Sequence, residues 1–159
     1  MNFSADIVRI GLISDTHNLM RPEALQWLAG CEAIVHAGDV CAPQVLEALA
    51  RIAPVTAVRG NNDTGTWADA LPLETTLAIA GVTIHVVHDI ADLSVDLGVR
   101  GIDVVVTGHS HKPSVESRDG VLFVNPGSAG PRRFKLPISA GALVVKGGRA
   151  RAELHTLLG

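Results

Sequence analysis

The chain has 159 residues, of which 47% are apolar and 18% charged, and its net charge is −3. We predict a single domain over residues 1–159, because this length suits one buried core and the apolar share excludes a disordered chain. The negative net charge gives no signal for nucleic-acid binding, and no apolar run is long enough to span a membrane.

Two further features bear on where the protein works. Residues 1–9 include Asp6 and lack the charged-then-apolar layout of a signal peptide, so we expect none. Cys31 and Cys41 lack the spacing of a zinc site and are interpreted as reduced packing residues, with a disulfide between them as the alternative. The expected location is therefore cytoplasmic.

The first half of the chain alternates strands with helices. Apolar runs at residues 7–13, 33–37 and 55–58 predict buried strands, and helices that begin at a proline are predicted over 22–30 and 43–51. This alternation predicts a parallel sheet, with the polar residues that follow its strands gathered along one edge.

The second half is predicted to be antiparallel, because its short apolar runs are separated by glycine turns. Leu77–Ala80 and Val82–Val87 flank Gly81 in the manner of a hairpin, and a short helix is predicted over 92–99. The remaining predicted strands cover residues 102–107, 114–117, 121–124, 142–146 and 150–156, with a loop over 125–137.

Seven polar residues follow predicted strands or lie at their edges. Two carboxylates, one amide oxygen and four imidazoles exceed what one ion binds, and with one carboxylate shared they suit two ions. Two ions about 3.5–4 Å apart are a known arrangement for cleaving phosphate esters. On an extended backbone, side chains two positions apart also point the same way. The seven residues are Asp15, His17, Asp39, Asn61, His88, His109 and His111.

Each of these residues also has a simpler interpretation when taken alone. An aspartate or asparagine after a strand is often a turn former or a helix cap, and a lone His88 would be a structural histidine. Residues 108–111, Gly-His-Ser-His, are the most specific stretch, because two histidines two apart are seldom needed for packing. The joint occurrence favours a metal centre. His36 is interpreted as a core histidine supporting it, and His85 and His155 are placed outside it.

These residues, in this order, resemble the pattern of the calcineurin-like metallophosphoesterases, and most closely their small YfcE/MJ0936-like phosphodiesterase branch. The pattern appears as Asp15-Thr16-His17, Gly38-Asp39, Gly60-Asn61, His88 and residues 108–111. Residues 36–39 and 125–128 also look like stretches of this branch, and the resemblance runs from about Ile10 to Arg132. It implies an α/β fold, namely a four-layer α/β/β/α sandwich of two mixed β-sheets flanked by helices.

The resemblance also implies how the residues are shared between two divalent ions. One ion would be bound by Asp15, His17, Asp39 and His111, and the other by Asp39, Asn61, His88 and His109. Mn²⁺ is the expected metal, with Ni²⁺, Zn²⁺, Fe²⁺ and Co²⁺ as alternatives. The implied enzyme is a phosphodiesterase for a small phosphoester, in which a hydroxide bridging the ions attacks phosphorus in line. Relatives form dimers or larger assemblies, so a homo-oligomer is the expectation.

Two positions depart from the family pattern. Asn62 stands where many larger relatives have a histidine; it can donate a hydrogen bond to a phosphate oxygen but cannot act as a proton donor near neutral pH. Asp89 follows His88, where the family usually has glycine. Arg132, with Arg133 beside it, is a candidate for binding the substrate phosphate or else part of a solvated loop. Arg59 has the same two interpretations.

Three competing functions remain from the sequence. A Vps29-like scaffold would use the same fold to bind partner proteins without catalysis, but loss of ligands would be its sign and all seven are present. A zinc hydrolase of another fold is disfavoured because no His-Glu-x-x-His helix occurs. A nuclease would remain within the phosphodiesterase class, but no basic stripe supports one.

Overall fold

A computed structural model of the chain describes residues 7–159. The expected absence of a signal peptide concerns residues 1–9, most of which lie outside this range. The ten described strands are β1 (Val8–Ile13), β2 (Ala33–His36), β3 (Val55–Ala57), β4 (Glu74–Ile79), β5 (Val82–Val87), β6 (Val104–Val106), β7 (Ser114–Arg118), β8 (Val121–Asn125), β9 (Ile138–Lys146) and β10 (Arg149–Leu158). The helices are α1 (Pro22–Leu28), α2 (Pro43–Ala50), α3 (Thr66–Asp69) and α4 (Leu97–Arg100).

The first sheet has the strand order β10-β9-β1-β2-β3. Strands β1, β2 and β3 are parallel, as the alternation of strands and helices predicts. Strand β9 returns from the end of the chain and pairs antiparallel with β1, with Ile10 opposite Leu143. This pairing extends the first sheet with residues that are more than a hundred positions away in sequence, which no local pattern indicates.

The second sheet has the order β4-β5-β6-β8-β7 and corrects the prediction of an antiparallel second half. Its two edge pairs, β4 with β5 and β7 with β8, are antiparallel hairpins, but β5, β6 and β8 are parallel. The prediction failed because α4 carries the chain from β5 to β6 as a crossover, and the hairpin strand β7 lies between β6 and β8 in sequence.

The helix predicted over 92–99 is confirmed only at its end, because this stretch forms a 3₁₀ turn and then the short helix α4. A 3₁₀ turn covers Ile90–Asp92 and α4 begins at Leu97. The carboxylates of Asp89 and Asp96 each accept a backbone N–H two or three residues on, at 3.0 Å, and so begin each turn separately. Three predicted strands are too short: β4 begins at Glu74, β9 at Ile138, and β10 covers Arg149–Leu158. The strand predicted over 102–107 is too long, because β6 covers only Val104–Val106.

Three apolar clusters define four layers and confirm the predicted sandwich. Alternate residues of each sheet, such as Leu12 and Ile84, are fully buried in the cluster between the two sheets. Ile34 faces the other way and packs with Leu28 of α1 and Leu49 of α2. A third cluster covers the outer face of the second sheet with residues from the 92–97 segment. Within the described range, no helix is both long and apolar enough to cross a membrane.

Candidate metal centre

The candidate ligands lie where strands of both sheets end side by side. Asp15 and His17 follow β1, and Asp39 follows β2. The backbone keeps these two loops together past the strands: the N–H of Asp15 donates to Gly38 O at 2.9 Å, and that of His17 donates to Asp39 O at 3.0 Å. His88 follows β5, and the N–H of Gly108, after β6, donates to His88 O at 2.9 Å. Loops that are distant in sequence are therefore fixed to one another.

The backbone conformation that aims these side chains is not the extended one expected from the sequence. Strand β1 ends at Ile13, and Asp15 and His17 have φ angles of +55° and +47°. Asp39, His109 and His111 also have positive φ angles, between +58° and +70°. Non-glycine residues rarely adopt this left-handed conformation, and such positions concentrate at functional sites. At these residues the backbone changes direction sharply, and the side chains of the candidate ligands point toward one another.

One group of candidate ligands, which we name the inner cluster, consists of Asp15, His17 and His111. Ligand atoms of the three lie within 4.8 Å of one another. Asp15 Oδ1 is 3.4 Å from His111 Nε2 and 3.9 Å from His17 Nε2. The other oxygen, Oδ2, accepts hydrogen bonds from the Ser14 hydroxyl at 2.7 Å and from the His109 N–H at 3.1 Å. The two hydrogen bonds to Oδ2 therefore fix the Asp15 side chain, and Oδ1 is left to bind a metal.

The inner cluster carries polar atoms that the rest of the described chain does not satisfy. Asp15 Oδ1, His17 Nε2 and His111 Nδ1 are buried and have no hydrogen-bond partner among the described residues. A buried polar group without a partner costs about 1–3 kcal/mol, and more when it is charged. A cation would remove this cost at Asp15 Oδ1 and His17 Nε2, whereas the His111 nitrogen that faces Asp15, at 3.4 Å, is Nε2. The carboxylate and imidazole donors fit a divalent metal ion.

A second group, the outer cluster, consists of Asn61, His88 and His109. Asn61 Oδ1 is 3.0 Å from His88 Nε2 and 3.2 Å from His109 Nδ1. His88 is buried, and its Nδ1–H donates to Ala37 O at 2.7 Å, which leaves Nε2 as the free ligand atom. The His109 side chain is 46% exposed, so this group opens toward solvent where the inner cluster does not.

Asp39 lies between the two clusters. Its Oδ2 is 3.7 Å from His17 Nε2 and 3.4 Å from His88 Nε2. Burial raises the pKa of Asp39, but the hydrogen bonds from His88 and from the backbone and side chain of Asn62 outweigh burial and hold this pKa below its usual value. The carboxylate is therefore ionised at neutral pH, and one oxygen faces ligands of both clusters.

The pKa of His88 moves in the opposite direction. Burial lowers this pKa, while the hydrogen bond to Asp39 and the charges of Asp15 and Asp39 raise it, and the pKa ends above its usual value. The pKa of His88 rises because the two carboxylates favour a positive charge at this position. A divalent cation would supply the same charge without a proton.

Asp63 is a buried residue that sequence reasoning treated only as part of a turn. Its carboxylate accepts the backbone N–H groups of Asp39 at 3.0 Å, Cys41 at 2.7 Å and Gly60 at 2.8 Å. It thereby joins the loop after β2 to the loop after β3. The sequence indicates Asp63 only by its position directly after Gly-Asn-Asn. Two of its three hydrogen-bond partners, Asp39 and Cys41, lie more than 20 residues away in sequence, so no local pattern predicts these bonds.

Residues 125–128 have a comparable structural role. The Asn125 side-chain amide donates to Gly108 O at 3.0 Å and to the Ser110 hydroxyl at 3.1 Å. The Ser128 hydroxyl donates to Asp15 O at 3.0 Å. This stretch therefore fixes the loops that carry His109 and Asp15.

His36 is a core histidine, as expected, and it forms hydrogen bonds with the loops that carry the inner cluster and Asp39. Its Nδ1 accepts the Gly38 N–H at 3.1 Å, which places the ring proton on Nε2. The Nε2–H then donates to the Thr16 hydroxyl at 3.0 Å, and that hydroxyl donates to Val40 O at 3.3 Å. Complete burial lowers the pKa of His36 to about 4, against the opposing charge of nearby carboxylates, so the ring is neutral near pH 7.

Two glycines are required by close approach at the centre. A Cβ atom at Gly108 would collide with the Ser14 hydroxyl and lie 2.7 Å from Asp15 Oδ2. A Cβ at Gly60 would collide with Asp39 Oδ1 and the Asp39 backbone nitrogen. Any side chain at these positions would displace a candidate ligand. The Gly-His and Gly-Asn pairs in the sequence pattern thus have a steric cause.

The other candidate residues have different surroundings. The Asn62 backbone N–H and side-chain amide donate to Asp39 Oδ1 at 2.8 Å and Oδ2 at 2.9 Å. Arg132 is exposed and donates to the backbone oxygens of Leu136 and Gly159, at 3.4 and 2.7 Å. Arg133 is also exposed. Arg59 forms an ion pair with Asp69 at 3.3 Å. Whether these residues contact a substrate stays a prediction.

Residues placed outside the centre by the sequence lie outside it. His85 Nε2 is 2.6 Å from Glu74 Oε2, and its Nδ1 is 2.9 Å from the Thr76 hydroxyl. His155 stacks on Trp27 with 4.3 Å between ring centroids. Both cysteines are free thiols. Burial and the carboxylates of Asp63, Asp39 and Asp15 raise the pKa of Cys41 to about 11, so this thiol is protonated and is no nucleophile at neutral pH.

A cavity of about 400 Å³ opens beside the outer cluster. Its lining combines ligands of the outer cluster with one cationic, several acidic and two apolar side chains. The volume lies in the range of small-molecule sites, and the cavity reaches the ligands that are most exposed. It is lined by Arg59, Gly60, Asn61, Leu73, Glu74, Val87, His88, Asp89, Asp92 and His109.

Comparison with known proteins gives a consistent result at the levels of sequence and fold. The sequence model described as "Calcineurin-like phosphoesterase superfamily domain" matches residues 8–148. A probable metallophosphoesterase from Methanothermobacter thermautotrophicus is 33% identical over 158 residues, which are 91% of this chain and 90% of that relative.

Two solved structures share the fold at lower identity. Vps29 from Cryptosporidium parvum superposes with a TM-score of 0.76 and 21% identity, over 94% of this chain and 97% of its own. A structure described as a novel archaeal phosphodiesterase superposes with a TM-score of 0.71 and 23% identity, over 93% of this chain and 100% of its own. Since one neighbour is a sorting protein and the other a hydrolase, the fold by itself does not decide the activity.

Proposed function

Because the chain belongs to the calcineurin-like phosphoesterase superfamily, we propose that it is a phosphodiesterase that depends on two divalent metal ions. The inner cluster together with Asp39 would bind one ion. The outer cluster together with Asp39 would bind the other. Imidazole and carboxylate ligands suit several first-row metals, and we propose Mn²⁺.

The observation that carries the proposal is the position of Asp39. One carboxylate oxygen lies 3.4–3.7 Å from a nitrogen of each cluster, at His88 and at His17. A single carboxylate oxygen between two groups of nitrogen ligands would suit two neighbouring ions that share it. The unsatisfied atoms Asp15 Oδ1 and His17 Nε2 support the same interpretation on the inner side.

When bound, the ions would lower the pKa of a shared water toward 7 and offset charge on the phosphate oxygens. The residues of the chain have separate tasks. Asp39 would contribute one carboxylate oxygen to both ions, and the Asn62 side-chain amide donates to that oxygen, Oδ2, at 2.9 Å. The exposed amide edge of Asn62 is also the group we propose to contact a phosphate oxygen. Arg132, on a neighbouring loop, would contact the phosphate only after exchanging its bonds to backbone oxygens.

The cavity beside the outer cluster is the proposed site for the ester group that leaves. It is continuous with His109 and Asn61, so a phosphate placed at the centre would direct one substituent into it. A volume of about 400 Å³ suits a small organic substituent rather than a nucleic-acid strand. The net charge of −3 gives no support for a polyanionic substrate.

The test combines metal analysis with hydrolysis assays. EDTA-stripped protein is reloaded with Mn²⁺ and assayed with an aryl phosphodiester and an aryl phosphomonoester. We expect about two equivalents of Mn²⁺ and faster hydrolysis of the diester. His88→Gln should lose one equivalent and most activity, whereas the matched variant His155→Gln, at an exposed stacked position, should retain both. Failure to bind Mn²⁺ or an alternative divalent ion would overturn the proposal.

A second candidate function is a non-catalytic scaffold, which the close superposition with Vps29 favours. The two candidates differ in one measurable outcome. Two bound equivalents of metal without hydrolysis of either ester would support the scaffold, and metal-dependent turnover would exclude it. The single domain, the cytoplasmic location and the homo-oligomer predicted from the sequence stay predictions.

A further inference from the structure

A histidine that binds a metal through one ring nitrogen leaves its other ring nitrogen for a contact with the protein or with solvent. His88 uses its Nδ1–H to donate to Ala37 O at 2.7 Å. His17 places Nδ1 3.6 Å from Cys41 Sγ. Partners of this kind set which nitrogen is free to bind a metal and how the ring is oriented.

His109 differs because its second nitrogen faces a carboxylate. Its Nδ1 points at the outer cluster, 3.2 Å from Asn61 Oδ1. Its Nε2 lies 3.6 Å from Asp89 Oδ2, which is within ion-pair distance and slightly beyond a hydrogen bond. With its side chain 46% exposed, His109 has less packing to fix its ring than His88, whose side chain is 6% exposed. The ring orientation of His109 therefore depends on its polar contacts.

Asp89 is itself held in place. Its Oδ1 accepts the Ala91 N–H at 3.0 Å and begins the 3₁₀ turn at Ile90–Asp92. This bond occupies one carboxylate oxygen and directs the other toward His109. The Asp89 side chain is 31% exposed, so the pair lies at the wall of the cavity rather than in bulk solvent.

We propose that Asp89 is a positioning residue for His109, an inference that rests on the proposed function. With its ring proton on Nε2, His109 would face the Asp89 carboxylate at the observed separation of 3.6 Å, and Nδ1 would be left unprotonated and aimed at the outer metal position. A carboxylate partner also makes the imidazole a stronger ligand. At position 89 the family pattern usually has glycine, which has no carboxylate. The proposed contact between Asp89 and His109 is therefore a feature of this chain and not of the family pattern.

The first test measures Mn²⁺ affinity by calorimetry on stripped protein. Asp89→Asn keeps an oxygen for the Ala91 N–H but then presents an NH₂ group to the His109 Nε2–H. We expect the weaker of two Mn²⁺ affinities to fall about 10- to 100-fold, with the tighter one unchanged. Asp96→Asn is the matched control, because Asp96 accepts the Val99 N–H at 3.0 Å in the same capping role and should leave both affinities unchanged.

The second test observes the proton directly. In ¹⁵N-labelled protein loaded with diamagnetic Zn²⁺, the His109 Nε2–H should give a slowly exchanging NMR signal in the wild type and in Asp96→Asn. The signal should be lost in Asp89→Gly. Two Mn²⁺ affinities that are unchanged in Asp89→Asn, or a Zn²⁺-loaded wild type with the proton on Nδ1, would overturn the inference.

These outcomes are separable from failure of the proposed function. A wild-type protein that binds no second ion fails the parent proposal. A wild-type protein that binds two ions but responds identically to Asp89→Asn and Asp96→Asn fails only the inference about Asp89.

Discussion

The inner and outer clusters use the same kinds of side chain in different surroundings. Asp15 and His111 of the inner cluster are almost completely buried, and their free atoms have no partner in the described chain. In the outer cluster, Asn61 Oδ1 already contacts two imidazoles, and His109 borders an open cavity. A cation binds more favourably to ligand atoms that folding has already removed from water and left without a partner. The inner position should therefore bind metal more tightly, and the outer position should face the substrate.

The largest effect is expected from Asp39→Asn, which removes the charge that the two clusters share. Because both proposed ions lose a ligand, hydrolysis should fall on the order of 10³-fold and both Mn²⁺ affinities should weaken. Asp119→Asn, at an exposed turn with φ +51° that asparagine tolerates, is the control and should behave as wild type. If one affinity survives unchanged in Asp39→Asn, the carboxylate is not shared.

The next largest effect separates the two clusters. His111→Gln should weaken the tighter Mn²⁺ site by more than about 100-fold, because ligand loss exceeds the effect of losing a supporting contact. His109→Gln should weaken the other site and leave the tighter one in place. Calorimetric titration of both stripped variants would check this assignment. The reverse order of effects would show that burial does not rank the two positions.

His36 allows the support of the inner cluster to be tested through pH. Its folded-state pKa is about 4, and its unfolded pKa is near 6.5, so below pH 6.5 the unfolded chain binds the extra proton. Stability of metal-free protein should therefore fall as pH drops from about 6.5 to about 4, by about 3 kcal/mol from this residue, and then level off.

Denaturant unfolding of wild type and His36→Asn, both in EDTA, would measure this contribution. The variant is less stable at pH 7 but cannot titrate at this position, so its pH dependence should be smaller by that amount. Parallel curves for the two proteins between pH 6.5 and 4 would contradict the assignment of a neutral buried His36.

The smallest effect concerns the open side of the centre. Asn62→His would introduce a proton donor where Asn62 has none, and should accelerate esters with poor leaving groups about 10-fold more than aryl esters. The measurement is kcat/KM across diesters of graded leaving-group pKa. Equal changes on every ester would mean that residue 62 acts through its bond to Asp39 rather than on the leaving group.

Local sequence patterns predicted the elements of the first half well. Pro22 and Pro43 begin helices, and Ile13 and His36 end strands within a residue of the expected positions. Proline and apolar periodicity act over a few residues, which is why they are readable. The parallel pairing of β5, β6 and β8 was missed, since strand partners are selected by crossover geometry and burial across the whole chain.

For the candidate centre, residue types and order selected side chains that the structure brings together, but they did not indicate the backbone conformation that orients them. The positive φ angles of Asp15 and His17 replace the extended backbone that the Asp-x-His spacing suggested. The supporting roles of Asp63 and Ser128 were not foreseen, because each bonds to loops that are distant in sequence. Such contacts exist only once the sheets have formed.

The sequence alone determined which chemical groups are available: carboxylates, imidazoles and an amide placed directly after apolar runs, with glycines that clear space between them. The tertiary structure decided which groups meet, that one oxygen of Asp39 faces both clusters, and that one cluster is buried while the other borders a cavity. Spacing along a chain fixes local geometry only. Distances between loops of two sheets depend on how the sheets pack, which is a property of the folded chain as a whole.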